Sequence, residues 1–155
     1  MNCVTIDPGL TGTGFSVWEQ KAKDWKLLIH GSLSPRNQKA AFYGRAEELA
    51  TRLGDVLKPY VLTKAYFEMP ASWGGVSDRS QAVTKLAITA GILVGYLYGI
   101  KGVPCVAVPV NDWKGNLPGD ICCDRVANIM GWNVKDYTDH DLDSVGLGLF
   151  LQGRF

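Results

Sequence analysis

The feature that most constrains the fold of this chain is a change of hydrophobic period about a quarter of the way along. Up to residue 33, apolar and β-branched residues come in short runs separated by turn formers. Residues 2–7 stop at Pro8-Gly9, residues 12–19 alternate through Thr13-Gly14-Phe15-Ser16-Val17-Trp18, and residues 25–33 follow a short polar connection. Runs of that length between Gly, Pro and polar turns predict three strands in an antiparallel meander. Beyond them the period becomes helical. Phe42, Ala46, Leu49, Leu53 and Val56 recur every three or four residues, which predicts an amphipathic helix ended near Lys58-Pro59. A strand over 61–69, closed by Pro70, and a Gly-rich loop over 71–78 are expected next. A long helix over 79–98 follows, with Val83, Leu86, Ala90, Leu93, Val94 and Leu97 on one face. The remainder predicts a strand over 104–110, a short helix over 120–130 and a last helix over 139–151. A meander followed by alternating helices and strands predicts an α/β layer fold on a mixed sheet. There is no internal repeat and no low-complexity segment.

The 155 residues, 46% of them hydrophobic, suffice for one substantial core, and no Pro- or Ser-rich stretch marks a linker, so a single domain over 1–155 is expected. No segment reaches ~18 uninterrupted apolar residues, and the first residues lack a charged n-region and cleavage site, so a soluble, cytoplasmic protein is expected. Cys3 and Cys105 lie in apolar strand-like runs, and adjacent Cys122-Cys123 fit neither zinc-ligand spacing nor a disulfide framework. All four are expected to be reduced and mostly buried. The net charge of +1 lacks the basic excess by which many nucleic-acid binders announce themselves. If several acids gather around divalent metal, however, the rest of the surface keeps a basic surplus.

Three acidic signatures stand out, in order: Ile6-Asp7-Pro8-Gly9-Leu10-Thr11-Gly12-Thr13-Gly14, then Phe67-Glu68-Met69-Pro70, then His140-Asp141-Leu142-Asp143. Asp7 ends the first strand and opens a turn rich in Gly and Thr, which would let backbone approach a phosphate or a metal-bound water. An Asp-Pro-Gly turn with no further role has the same composition. Glu68 ends an apolar strand, where an unpaired carboxylate costs several kcal/mol or shifts its pKa, so it needs either a cation or a Lys or Arg partner. In the last cluster, Thr138 and Asp141 fit a capping box and Asp139 suits the helix dipole. His140 and Asp143 are left without such an explanation, and at a spacing of three they share a helix face. Leu142, Val145, Gly146 and Leu149 make the neighbouring apolar stripe, and Gly146 and Gly148 predict close packing of this helix on the sheet. Carboxylates brought together in this way bind hard cations such as Mg2+, which act on phosphate.

Together these residues resemble a known family. Ile6-Asp7-Pro8-Gly9 near the start, a strand ending in Glu68 and a C-terminal helix with His140 and Asp143 look like the RuvC family of Holliday junction resolvases. The stretch 80–96 is similar to that family's long helix, and 109–114 to its basic loop beside the site. The compact length and divergent turns resemble bacteriophage members, which would work in the host-cell cytoplasm. The resemblance implies a ribonuclease H-like fold: a mixed five-stranded sheet flanked by helices. It implies Asp7, Glu68 and Asp143 as metal-binding carboxylates, with His140, where many members carry Asp, either ligating metal or handling the proton of the attacking water. Lys114 falls near the scissile phosphate, Trp73 is the candidate for an aromatic residue inserted at the junction, and Arg79, Lys85 and Lys114 would contact phosphates. The implied cofactor is two Mg2+ per site, with Mn2+ able to substitute, and no organic cofactor or membrane is expected. The implied partners are branched DNA, above all four-way junctions, and a second copy of the chain. A C2 homodimer would make two symmetric nicks, and the apolar face of the long helix at 86–97 could supply the surface. Two other readings share the residues: a ribonuclease H-like enzyme cutting branched or flapped DNA less selectively, and a non-catalytic binder of DNA structure. The first turn also looks like a phosphate loop of actin-like ATPases and sugar kinases, but those need two such domains and 155 residues have room for one.

Overall fold

Five strands form one sheet in the order β3-β2-β1-β4-β5, in a computed structural model that describes residues 1–9, 11–22, 24–69 and 77–155. The strands are β1 Asn2–Pro8, β2 Thr13–Lys21, β3 Asp24–Leu33, β4 Leu62–Met69 and β5 Cys105–Pro109. β1, β2 and β3 pair antiparallel as the meander requires, and β4 and β5 add parallel to β1. The mixed sheet expected from the change of period is therefore present. β1 is central, and its residues from Cys3 to Pro8 are all buried.

Strand period 2 divides the sheet into two chemical faces. Val4 and Ile6 of β1, Phe15 and Val17 of β2, and Ala65 and Phe67 of β4 point to one side. There they join Leu49 and Leu53 of α1 (Phe42–Leu57) and Leu93 of α2 (Ser77–Gly95) in one apolar cluster. Cys3 and Trp18 point to the other side and pack with Val126 of α4 (Gly119–Met130) and with Leu142, Val145 and Leu149 of α5 (Asp139–Leu151). Thr5 and Asp7 share that second face, so α5 determines what surrounds them.

Two devices bring α5 onto the sheet. The carbonyl of Ser144 accepts hydrogen bonds from Thr5 Oγ1 at 2.7 Å and Ser16 Oγ at 3.0 Å, while the Trp18 indole donates to Ser16 Oγ at 2.8 Å. Every partner in this set is buried and bonded, so it fixes the register of helix on sheet without an orphaned polar group. Close approach is the second device. A Cβ on Gly148 would collide with the Trp18 indole, and one on Gly14 would collide with the carbonyl of His140. Gly148 thus packs on the sheet as expected. Gly146 faces away from it, toward Trp113 at 2.8 Å and Val126 at 2.9 Å from an added Cβ.

The long helix begins at Ser77 and changes after Gly95 into a π-helical turn, Tyr96–Ile100. Leu97 in that turn is buried, and the Tyr96 ring lies over Gly54 of α1, the room for it provided by the missing Cβ. Only 17% of Ala82–Ile100 is buried, although its mean hydropathy of 1.5 makes it long and apolar enough, by length and composition, to cross a membrane. Val83, Ala87, Ala90, Gly91 and Val94 instead line a groove of about 780 Å3 shared with Met69, Cys105, Ala107 and Pro109. Two elements escaped the sequence reading: the single-turn α3 (Val110–Trp113) after β5, and a 3-10 turn at Val134–Asp136. Both are shorter than the window in which a helical period can be read. The four cysteines are free, and burial pushes the Cys3, Cys122 and Cys123 thiols up to about 12, which leaves them inert.

Candidate active site

Asp7 and Glu68 lie on the adjacent parallel strands β1 and β4, one position beyond the Ile6 and Phe67 pair, near the carboxyl ends where open α/β sheets present their functional groups. Asp143 reaches them from the second turn of α5. One oxygen from each of Asp7, Glu68 and Asp143 lies within 4.8 Å of the other two. Asp7 is 5% exposed, and Asp143 Oδ1 is buried with no hydrogen-bond partner among the described residues.

Among the described residues, two basic groups meet the carboxylates. Lys114, just past α3, places Nζ 2.7 Å from Asp143 Oδ2 and 3.2 Å from Glu68 Oε2. The Trp113 indole donates to the same Glu68 oxygen at 3.1 Å. His140 Nδ1 lies 2.6 Å from Asp7 Oδ2. With Asp7 ionised, Nδ1 carries the proton. That hydrogen bond holds the His140 pKa above the usual imidazole value despite burial.

Electrostatics divide the acids. Burial pushes Glu68 up to about 7, the charge of Asp7 adds to the effect, and Lys114 partly opposes it. Burial pushes Asp143 up to about 6, again with Lys114 opposing. For Lys114 burial acts downward, but the charges of Glu68 and Asp143 overcome it and its pKa ends above the ordinary lysine value. Without a further cation the cluster is thus short of positive charge. Hard carboxylate oxygens, one of them unpaired, fit the requirements of Mg2+.

The glycine-rich turn after Asp7 serves a purpose that the sequence reading missed. A Cβ on Gly9 would lie 2.6 Å from His140 Nε2, and one on Gly12 would lie 3.4 Å from Cδ2 of the same ring. These glycines make room for an imidazole from the far end of the chain. The capping box needs correction too. Thr138 Oγ1 does accept from the Asp141 N–H at 3.2 Å, but the Asp141 carboxylate turns to His30 Nδ1 on β3, 2.8 Å away. His30 stacks on Trp132 with centroids 4.6 Å apart, and Trp132 stacks on Tyr137 at the same distance. A carboxylate 111 residues from its partner leaves no local signal. Trp113 was more accessible, since an aromatic residue directly before Lys114 in the loop after a strand is a visible cue.

The remaining sequence candidates are Lys85, Arg79 and Trp73. Lys85 is exposed on α2 and makes no ion pair with these carboxylates among the described residues. Arg79 belongs to α2, but its side chain lies outside the described residues, as does all of Trp73.

A mixed five-stranded sheet with helices on both faces, and acids on its two central parallel strands and its last helix, is the ribonuclease H-like class of fold. Solved structures similar to the chain include RuvC and other Holliday junction resolvases. RuvC of Thermus thermophilus, solved in complex with a Holliday junction substrate, aligns over 99% of this chain and 95% of its own at a TM-score of 0.77 and 20% identity. The yeast mitochondrial Holliday junction resolvase Ydc2 aligns over 98% of this chain and 79% of its own at a TM-score of 0.66 and 12% identity. The fowlpox virus resolvase, in complex with substrate Holliday junction DNA, covers 99% of this chain and 97% of its own at a TM-score of 0.57 and 14% identity. No family model and no curated protein sequence matches the chain.

Proposed function

We propose that the chain is a Holliday junction resolvase: a single ribonuclease H-like nuclease domain over 1–155 that cuts four-way DNA by paired symmetric nicks. The observation that carries this reading is the meeting of Asp7, Glu68 and Asp143 within 4.8 Å at one end of the sheet. A module that only bound DNA would gain nothing from holding three carboxylates against phosphate repulsion.

In this reading Asp7, Glu68 and Asp143 would hold two Mg2+, for which Mn2+ could substitute, with His140 as a further ligand or as the group that orients the nucleophilic water. Ions held there would supply a water deprotonated near neutral pH and charge stabilisation for the leaving oxygen. Asp7 fixes the His140 tautomer through Nδ1, leaving Nε2 to handle a proton. Lys114 neutralises charge on the phosphoryl group, and Trp73, Arg79 and Lys85 approach the DNA around it. Two such sites in a C2 dimer match the approximate two-fold symmetry of a junction. The largely unburied apolar flank of α2 supports a homodimer.

Cleavage of a labelled four-way junction, beside matched linear duplex, flap and bubble DNA with Mg2+, Mn2+ or EDTA, tests the proposal. Paired symmetric nicks confined to the junction and dependent on metal are expected. Equal cutting of flaps and bubbles would replace it with a general branch nuclease, and binding without cutting would end the enzymatic reading.

A further inference from the structure

We propose that Lys114 is a resident cation of the carboxylate centre that gives way when a divalent ion binds, so that metal entry and presentation of a free ammonium to the DNA are one event. The inference rests on the reading of Asp7, Glu68 and Asp143 as the metal site.

The geometry is that of a cation among its ligands. The Lys114 ammonium bridges Asp143 Oδ2 and Glu68 Oε2 at 2.7 and 3.2 Å, with 13% of its side chain exposed. Those two carboxylates belong to the three whose oxygens gather within 4.8 Å. An ammonium and a divalent ion would compete for the same oxygens, because a carboxylate accepts charge from either and three acids this close need one of them. The surrounding groups are arranged to survive the exchange. Trp113 Nε1 donates to Glu68 Oε2 at 3.1 Å and His140 Nδ1 holds Asp7 Oδ2 at 2.6 Å. Glu68 and Asp7 therefore keep their orientation when Lys114 leaves.

The part that would move is Lys114 itself. It follows the single-turn α3 and precedes Gly115, whose φ of +59° turns the chain away. Its four-carbon stem carries a compact, well-hydrated charge, without the rigid fork by which an arginine would lock onto the pair. Departure also leaves the Trp113 ring, whose centroid is 4.7 Å from Nζ. In the metal-free protein Lys114 keeps the cluster from repelling itself. With metal bound, the ammonium is released beside the site, where a phosphate is its natural partner.

Calorimetric titration of MnCl2 and MgCl2 into DNA-free wild type, Lys114→Met and Asp143→Asn tests this. Lys114→Met should bind the ions about tenfold more tightly or better, because a competing charge is gone. It should also melt at lower temperature in EDTA and regain stability with metal. Equal or weaker affinity would overturn the proposal. A second readout uses wild type alone and does not depend on the variant folding. Reductive methylation of Lys114, followed by mass spectrometry with Lys85 as internal standard, should accelerate several-fold when Mg2+ or Mn2+ is added. Unchanged reactivity at metal saturation overturns displacement while leaving the metal site standing. A wild type that binds no divalent ion, indistinguishable from Asp143→Asn, overturns the metal reading itself.

Discussion

Asp7 is the residue on which most depends, since it touches both the acid cluster and His140. Asp7→Asn keeps the size of the side chain and removes the charge. Single-turnover cleavage of a junction should fall about 10³-fold or more while a gel shift shows junction binding intact. The raised acids also set a pH dependence. Glu68 and Asp143 titrate near 7 and 6 in the fold, against ordinary values of 4.5 and 3.8. Groups with raised pKa contribute stability that is present below the ordinary value and is lost as pH climbs through the folded one. The protein in EDTA should therefore lose stability between about pH 4 and 7, and Glu68→Gln should flatten the upper part of that fall in urea titrations. Divalent-ion affinity must move oppositely over the same window, because the ionised forms are the ligands. Asp7, Glu68 and Asp143 were legible in the sequence because acids at strand ends and unused by helix capping stand out against an apolar pattern. Their partners were less so: the pairing of Asp7 with His140, and of Glu68 with Trp113, depends on contacts between distant parts of the chain.

At the scale of elements, the site is only as good as the seating of α5 on β2. Gly14→Ala drives a methyl group into the His140 carbonyl, in a strand whose register opposes Gly14 to Asp7. Melting temperature and cleavage rate should fall together in that variant. Gly44→Ala is the comparison, in an exposed turn of α1 with nothing within 4 Å of the added Cβ. It should be neutral or stabilise by roughly 0.4–1 kcal/mol in chemical unfolding, by trimming unfolded-state freedom. Strand and helix order could be read from period alone, and the described residues hold the five strands that were expected. What period could not show was α3, four residues long, although it delivers Trp113 and Lys114 to the site. The glycines after Asp7 were visible but ambiguous, because composition cannot say whether a missing Cβ admits a ligand or another part of the chain.

For the whole molecule the question is how α2 divides its apolar residues. The sequence placed Val83, Leu86, Ala90, Leu93, Val94 and Leu97 on one face and could not separate core from interface. In the structure Leu93 and Leu97 are buried, whereas Val83, Ala87, Ala90 and Val94 line the open groove beside β5. On the homodimer reading, Ala87→Glu should shift sedimentation from dimer to monomer without altering the far-UV spectrum, and paired nicking should decay into single, uncoordinated cuts. The same sheet geometry has a consequence for quality control in the cell. Asp7 faces α5 only because β1 and β2 pair with Asp7 opposite Gly14. A slip of one residue would turn the carboxylate to the opposite face, toward the apolar cluster of Val4, Ile6 and Leu53, and would carry it away from His140. On the resolvase reading, a chain that had zipped its first hairpin incorrectly could not cut DNA, so a misfolded copy would be harmless to the genome before any protease removed it.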